Sequence, residues 1–225
     1  MSYITKKFRK LGQKETWARY LSTLKYALYV IFHPADGYWD LIHANRGSYA
    51  AANTILILTL ITRIWRLQFS SFLVVLVNWD RTNIFIQIAA VLLPMLVFCL
   101  CNWGVTTLFD GKGRLGQIYM GTCYAFTPYV LIQIPLIIVS HFLTTDELAF
   151  YNTFSIISLL WCLMLIFMAM MMINQYSFGK TILFTIFTLF GMAVFIFIML
   201  LFFSVISQGV AYFVSLAREI MFRLD

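Results

Sequence analysis

Asn83–Thr106, NIFIQIAAVLLPMLVFCLCNWGVT, carries no Asp, Glu, Lys or Arg along its whole length. As a helix rising about 1.5 Å per residue it is long enough to cross a hydrocarbon core of about 30 Å. Four further stretches are long and apolar: Tyr49–Leu67, which Arg63 and Arg66 interrupt, and the uncharged Ile118–Leu143, Phe150–Ile173 and Thr181–Ser207. The composition agrees: of 225 residues, 62% are hydrophobic and 11% are charged. A typical soluble domain carries roughly 25% charge, so too little polar surface remains here to cover a water-soluble globule. The prediction is an all-α polytopic membrane helical bundle with five transmembrane helices. A cytosolic enzyme, a nucleic-acid-binding domain and a disulfide scaffold are all disfavoured.

The flanks of the spans set an orientation. Lys6, Lys7, Arg9, Lys10, Lys14, Arg19, Lys25 and Arg46 precede the first span, opposed by Glu15, Asp36 and Asp40. The positive-inside rule makes this end cytoplasmic. The Asp110–Gly116 turn with Lys112 and Arg114 then faces the cytoplasm, as does the turn ending at Lys180, whereas Asp146 and Glu147 lie outside. Eleven of the 16 basic residues fall on the inner side. An odd number of spans puts the carboxyl terminus outside a cell membrane.

Residues 1–47 read as a basic amphipathic segment, 48–207 as the membrane domain and 208–225 as an amphipathic tail. In the first, Trp17, Leu21, Leu24, Leu28 and Ile31 mark one helical face that stops at His33-Pro34, because proline disfavours helical geometry in the residue before it. Such an element suits anionic phospholipid headgroups, with Lys6, Lys7, Arg9 and Lys10 as contacts, or packs on a partner protein. In the tail, Val210, Phe213, Val214, Ala217, Met221 and Leu224 recur at helical spacing, which predicts a helix on the outer surface.

Arg63 and Arg66 interrupt the first span near its far end. Either they snorkel to outer headgroups or they line a polar cleft between helices and bind an anionic group, which their i, i+3 spacing permits. Behind them, Phe69–Val77 is apolar but too short to cross, and reads as a helix extension, a re-entrant piece or an interfacial helix. Pro94 predicts a kink in the second span, and Pro128 and Pro135 bend the third. Gly121 and Ala125 form a small-xxx-small pair for close helix contact.

Several motifs imitate chemistry. Gly111, Gly113 and Gly116 spell a dinucleotide fingerprint, but they follow a membrane span rather than a strand, and the position 20 residues on, Leu136, lies in the next span. The better reading is a flexible connection whose Lys112 and Arg114 meet lipid phosphates. Gly179-Lys180-Thr181 lacks the first glycine of a P-loop, since position 174 is Asn174. His33, Asp36, Asp40 and His43 could in principle hold a divalent cation, yet Asp36-Gly37-Tyr38-Trp39 reads equally well as a helix cap followed by an interface anchor. The four cysteines behave as small hydrophobes. No catalytic arrangement, cofactor or metal is assigned. Asn53, Gln87, Asn102 and Gln133 are the notable polar groups of the spans, placed to hydrogen-bond between helices.

Asn102-Trp103-Gly104 through Leu108-Phe109, the turn Gly111–Gly116, Tyr119 and Tyr124-Ala125-Phe126-Thr127-Pro128 resemble the Yip domain (Ypt-interacting protein) family in its prokaryotic form. His33-Pro34 with Trp39-Asp40, and Ser177-Phe178-Gly179-Lys180, sit where that family has similar elements. The resemblance covers roughly residues 32–203. It implies a five-span bundle with an inward amino terminus, acting without catalysis as a membrane adaptor. The acidic signature by which eukaryotic members engage small GTPases is not evident here, so that partner is not implied. The expectation is a non-enzymatic adaptor or scaffold that binds another membrane protein. The alternative is an accessory or permease-like subunit of a multi-component, ABC-type transporter complex, although the permease coupling pattern is missing.

Overall fold

The structure, a computed structural model, describes residues 14–74, 83–109 and 111–224. Its elements are α1 (Lys14–Phe32), α2 (Pro34–His43), α3 (Tyr49–Phe69), α4 (Ile84–Leu108), α5 (Leu115–Ala125), α6 (Thr127–Val139), a 3-10 turn (Thr145–Glu147), α7 (Leu148–Asn174) and α8 (Phe178–Leu224). Five helical units are long and apolar enough to cross a membrane: α3, α4, α5 with α6, α7 with its preceding turn, and α8.

Local chemistry fixes where several of these begin. Ser48 caps α3 by accepting from the Ala50 N–H at 3.2 Å, and Asn83 caps α4 by accepting from Phe85 N–H at 2.9 Å. The third span is broken at Phe126 into α5 and α6. Pro128 has no N–H to give the Tyr124 carbonyl, and the Thr127 hydroxyl takes that acceptor instead at 2.7 Å. α4, by contrast, runs through Pro94 as one helix.

α7 is the hub, packing against α2, α5, α6 and α8, while α4 pairs mainly with α8 and α3 with α6. The α5 contact is close because Gly121 has no side chain. A Cβ there would lie 2.6 Å from Ile173 Cδ1 and 3.4 Å from Ala169 Cβ, and Ala125 next along the stripe is fully buried. The four polar residues of the spans all bridge helices. Asn53 accepts from Tyr119 Oη at 2.7 Å, Gln87 meets Arg63, Asn102 donates to Thr188, and Gln133 donates to Ser155 and Ser158.

Three regions depart from the sequence reading. α3 stops at Ser70, whose backbone is extended, and residues 72–74 form a turn, so the apolar stretch after Arg66 is not a helix extension. The reason lies in two hydrogen bonds: Ser71 N–H donates to Ser140 Oγ at 3.2 Å, and the Ser71 carbonyl accepts from Val74. Residues 75–77 lie outside the described part. The amphipathic segment after Gln208 is helical as expected, but as the unbroken end of α8 rather than a separate helix. At 1.5 Å per residue, the 47 residues of α8 extend about 70 Å. Finally, α1 docks on the bundle through Thr23, Ala27, Val30 and Ile31, which are buried, while Trp17, Leu21 and Leu28 of the predicted stripe remain exposed.

Candidate functional site

The helices leave two mouths. One is built from the α1–α2 hairpin and the turns at 44–48, 109–114 and 175–177; it is called the glycine-turn end below. α2 folds back on α1, and Tyr26 Oη donates to the Gly37 carbonyl at 3.1 Å. Gly37 permits the approach, since a Cβ there would lie 3.0 Å from Val30 Cα. The N-cap of α2 is His33, whose side chain makes no cap hydrogen bond, and Asp36 lies inside the first turn, so the expected cap at Asp36 is displaced. Of the two expected anchor rings Tyr38 is fully buried, and burial pushes its phenol well above the usual range, while Trp39 is exposed.

The glycine turn is closely seated, where the sequence suggested a flexible connection. A Cβ on Gly113 would meet Asn174 Oδ1 at 2.5 Å, and one on Gly116 would strike the Tyr49 hydroxyl. Lys112 is exposed and donates to Gln175 Oε1 at 2.8 Å. The Gln175 amide nitrogen then faces His43 Nε2 at 3.1 Å, which forces that ring nitrogen to accept. His43 Nδ1 therefore carries the proton and donates to the Trp39 carbonyl at 3.1 Å, with the two rings stacked 3.9 Å apart. Gln175 has a φ of 58°, a left-handed conformation that costs a non-glycine residue on the order of 1–3 kcal/mol; its two side-chain bonds, joining three turns, offset that cost.

A second set of bonds ties α1 to the spans. Tyr20 Oη and Thr54 Oγ1 are 2.7 Å apart, and Tyr124 Oη donates to the Thr23 carbonyl at 3.3 Å while accepting from Ser48 N–H at 3.4 Å. Arg46 pairs with Asp40 at 3.5 Å and lies over the Tyr26 ring. Burial first and the Asp40 charge second push the Tyr26 phenol up to about 12. Beside these bonds a groove of about 430 Å³ opens between α1 and the start of α3, lined by Trp17, Arg19, Tyr20, Thr23, Ser48 and Ala50.

Not every predicted site residue converges here. His33 stacks on Tyr29, His43 is committed to Gln175, and Asp40 is committed to Arg46; among the described residues no group of three or more metal-ligating side chains forms. Arg114 is exposed, and its backbone N–H donates to Gln117 Oε1 at 3.0 Å. Lys6, Lys7, Arg9 and Lys10 lie outside the described residues. Pro34 opens α2, and Pro135 lies inside α6.

Arg63 and Arg66 stand at the other mouth, with Gln87, Ser70, Ser140 and Tyr151. The sequence reading did not single out Gln175 or Tyr151, each of which acts through a residue far away in the chain. A left-handed position cannot be read from glutamine, and Tyr151 was one more aromatic in an apolar run.

The sequence model of the Yip1 domain matches residues 28–202, from the end of α1 into α8. No curated protein and no solved structure matches the chain.

Proposed function

The chain belongs to the Yip1 domain family, and on that premise we propose that it is an adaptor, of the family's prokaryotic form, that holds another membrane protein against its glycine-turn end. Proteins of this family are in general non-enzymatic and cross the membrane several times. The observation that carries the adaptor reading is the division of α1 into two apolar faces. One face is used up in docking on the bundle, and the other, Trp17, Leu21 and Leu28, is presented outward beside the 430 Å³ groove. The turns beneath are locked to one another by the Lys112–Gln175–His43 chain, so the platform costs little to organise when a partner binds.

Orientation belongs to the same proposal. Arg19, Lys25, Arg46, Lys112, Arg114 and Lys180 flank the glycine-turn end, and the positive-inside rule assigns that end to the cytoplasmic face of the cell membrane. Anionic headgroups would then border the platform, and the carboxyl terminus would lie outside.

A photo-crosslinking amino acid placed at Leu21, and separately at lipid-facing Leu163, tests the adaptor reading in intact membranes. The Leu21 probe is expected to give one dominant protein adduct that disappears when Trp17 and Leu28 are both changed to Ser. Lipid adducts alone at both positions, with the protein recovered only as a solitary monomer, would reject the proposal.

A further inference from the structure

Arg63 and Arg66 both turn toward the interior of the second mouth. Arg66 follows Thr59 and Thr62, both buried, on one stripe of α3. Its guanidinium lies over the ring of fully buried Tyr151 on α7, 5.8 Å from the centroid. Arg63 reaches the other way to α4, where Nη2 stands 3.5 Å from Gln87 Oε1, at the long limit of a hydrogen bond.

On the two helices that carry these contacts, three polar atoms have lost water without gaining a partner: Arg63 Nε on α3, Ser70 Oγ at its end and Tyr151 Oη on α7. All three can donate, and an unpaired buried donor costs about 1–3 kcal/mol. Among the described residues no carboxylate pairs with either arginine: the ion pair present, Asp40 with Arg46, is at the opposite mouth, and Glu147, close in sequence to Tyr151, is occupied by the backbone N–H and hydroxyl of Thr144. Two guanidinium charges therefore stand beside unsatisfied donors with no carboxylate partner among the described residues.

We propose that this mouth is a phosphate site, in which Arg63 and Arg66 supply charge and forked donors and the Tyr151 and Ser70 hydroxyls complete the shell. A phosphate offers enough acceptors for all of them, and arginine matches its geometry in a way lysine does not. The ring contact holds the Arg66 guanidinium flat and leaves its N–H edge free to donate. Arg66 is three residues from the end of α3, about 4.5 Å along the axis. Trp65, the sequence neighbour of Arg66, and Phe69 line a mainly apolar groove of about 510 Å³ with Ile134, Ile138, His141 and Phe142, whose lining suits an acyl chain. The phosphate belongs either to a phospholipid headgroup or to a free ion.

The test uses the purified full chain in uncharged detergent and follows its thermal unfolding midpoint. One arm adds inorganic phosphate in exchange for chloride at fixed ionic strength. The other adds phosphatidylglycerol or, at equal mole fraction, diacylglycerol, which lacks the phosphate. Stabilisation by phosphatidylglycerol alone assigns the site to a headgroup, and stabilisation that inorganic phosphate also produces assigns it to the free ion. Arg66→Gln is expected to weaken the response roughly ten- to hundredfold. Tyr151→Phe keeps the ring, serves if the arginine variant fails to fold, and weakens it about three- to tenfold. No response to either phosphate source, an equal response to diacylglycerol, or full retention of the response in Tyr151→Phe and Arg66→Gln overturns the proposal.

Discussion

The third and fifth spans make opposite use of the bilayer. The α5–α6 unit is the less apolar of the two, yet more than half of its residues are buried, whereas α8 is the most apolar span and none of its residues from Leu189 to Ser215 is buried. In water the order would be reversed. Within lipid, apolar side chains gain little by turning inward, so the interior goes to residues that allow close backbone approach or hydrogen bonds across helices. α5 has both, in Gly121, Ala125, Thr122 and Tyr124; α8 faces outward with Phe197, Ile198, Phe202 and Phe203.

The heaviest blow to that contrast is Gly121→Leu. Its Cβ alone would sit 2.6 Å from Ile173 Cδ1, and α5 would have to withdraw from the hub helix. Overpacking of this kind costs about 1–3 kcal/mol: the Ile173 methyl end can rotate away from the new Cβ, but the rest of the leucine must still fit between α5 and Ala169, whose own Cβ is only 3.4 Å from the new one. Unfolding in detergent at increasing denaturant reads it directly. A neutral result would mean that α5 and α7 are not packed as described.

Hydropathy made the spans legible because charge is nearly absent from them, Arg63 and Arg66 of α3 excepted, and Pro128 announced the break at Phe126 because proline removes a definite hydrogen bond. What stayed hidden depends on partners distant in the chain. The predicted stripe of α1 is turned inward only at Leu24 and Ile31; the rest of the docking face is Thr23, Ala27 and Val30, whose small side chains carry less apolar weight than Trp17, Leu21 and Leu28 left outside. The end of α3 at Ser70 is set by Ser140 from another helix. The Lys112–Gln175–His43 chain joins three turns whose residues look like ordinary loop polar groups until the fold brings them together. For the arginines, spacing allowed both accounts, and only the position of buried Tyr151 shows that Arg66 turns inward.

Tyr124→Phe sharpens the contrast with a smaller effect. The variant keeps the packed ring and removes a hydroxyl that donates to Thr23 and accepts from Ser48, leaving a buried carbonyl and an N–H short of partners. A loss of about 1–2 kcal/mol is expected. It should fall on the attachment of α1 before the spans, so trypsin cleavage after Arg19 and Lys25 should accelerate while the spans remain resistant. Equal acceleration across the whole chain would show that the hydroxyl supports the bundle rather than the hairpin.

The smallest effect belongs to α8. A Cβ at Gly209, an exposed position of α8, would find no heavy atom within 4 Å. Leucine there also replaces a poor helix former by a good one, worth a few tenths of a kcal/mol up to about 1 in an exposed helix. Gly209→Leu should therefore leave the purified monomer unchanged or slightly more stable in detergent, against the large loss at Gly121. The same variant in native membranes supplies the stricter comparison. If the exposed face of α8 meets only acyl chains, the leucine remains silent there too. A destabilisation that appears in the membrane and vanishes on purification would mean that another protein approaches α8 closely at Gly209. The partner surface would then extend from the glycine-turn end along the last helix.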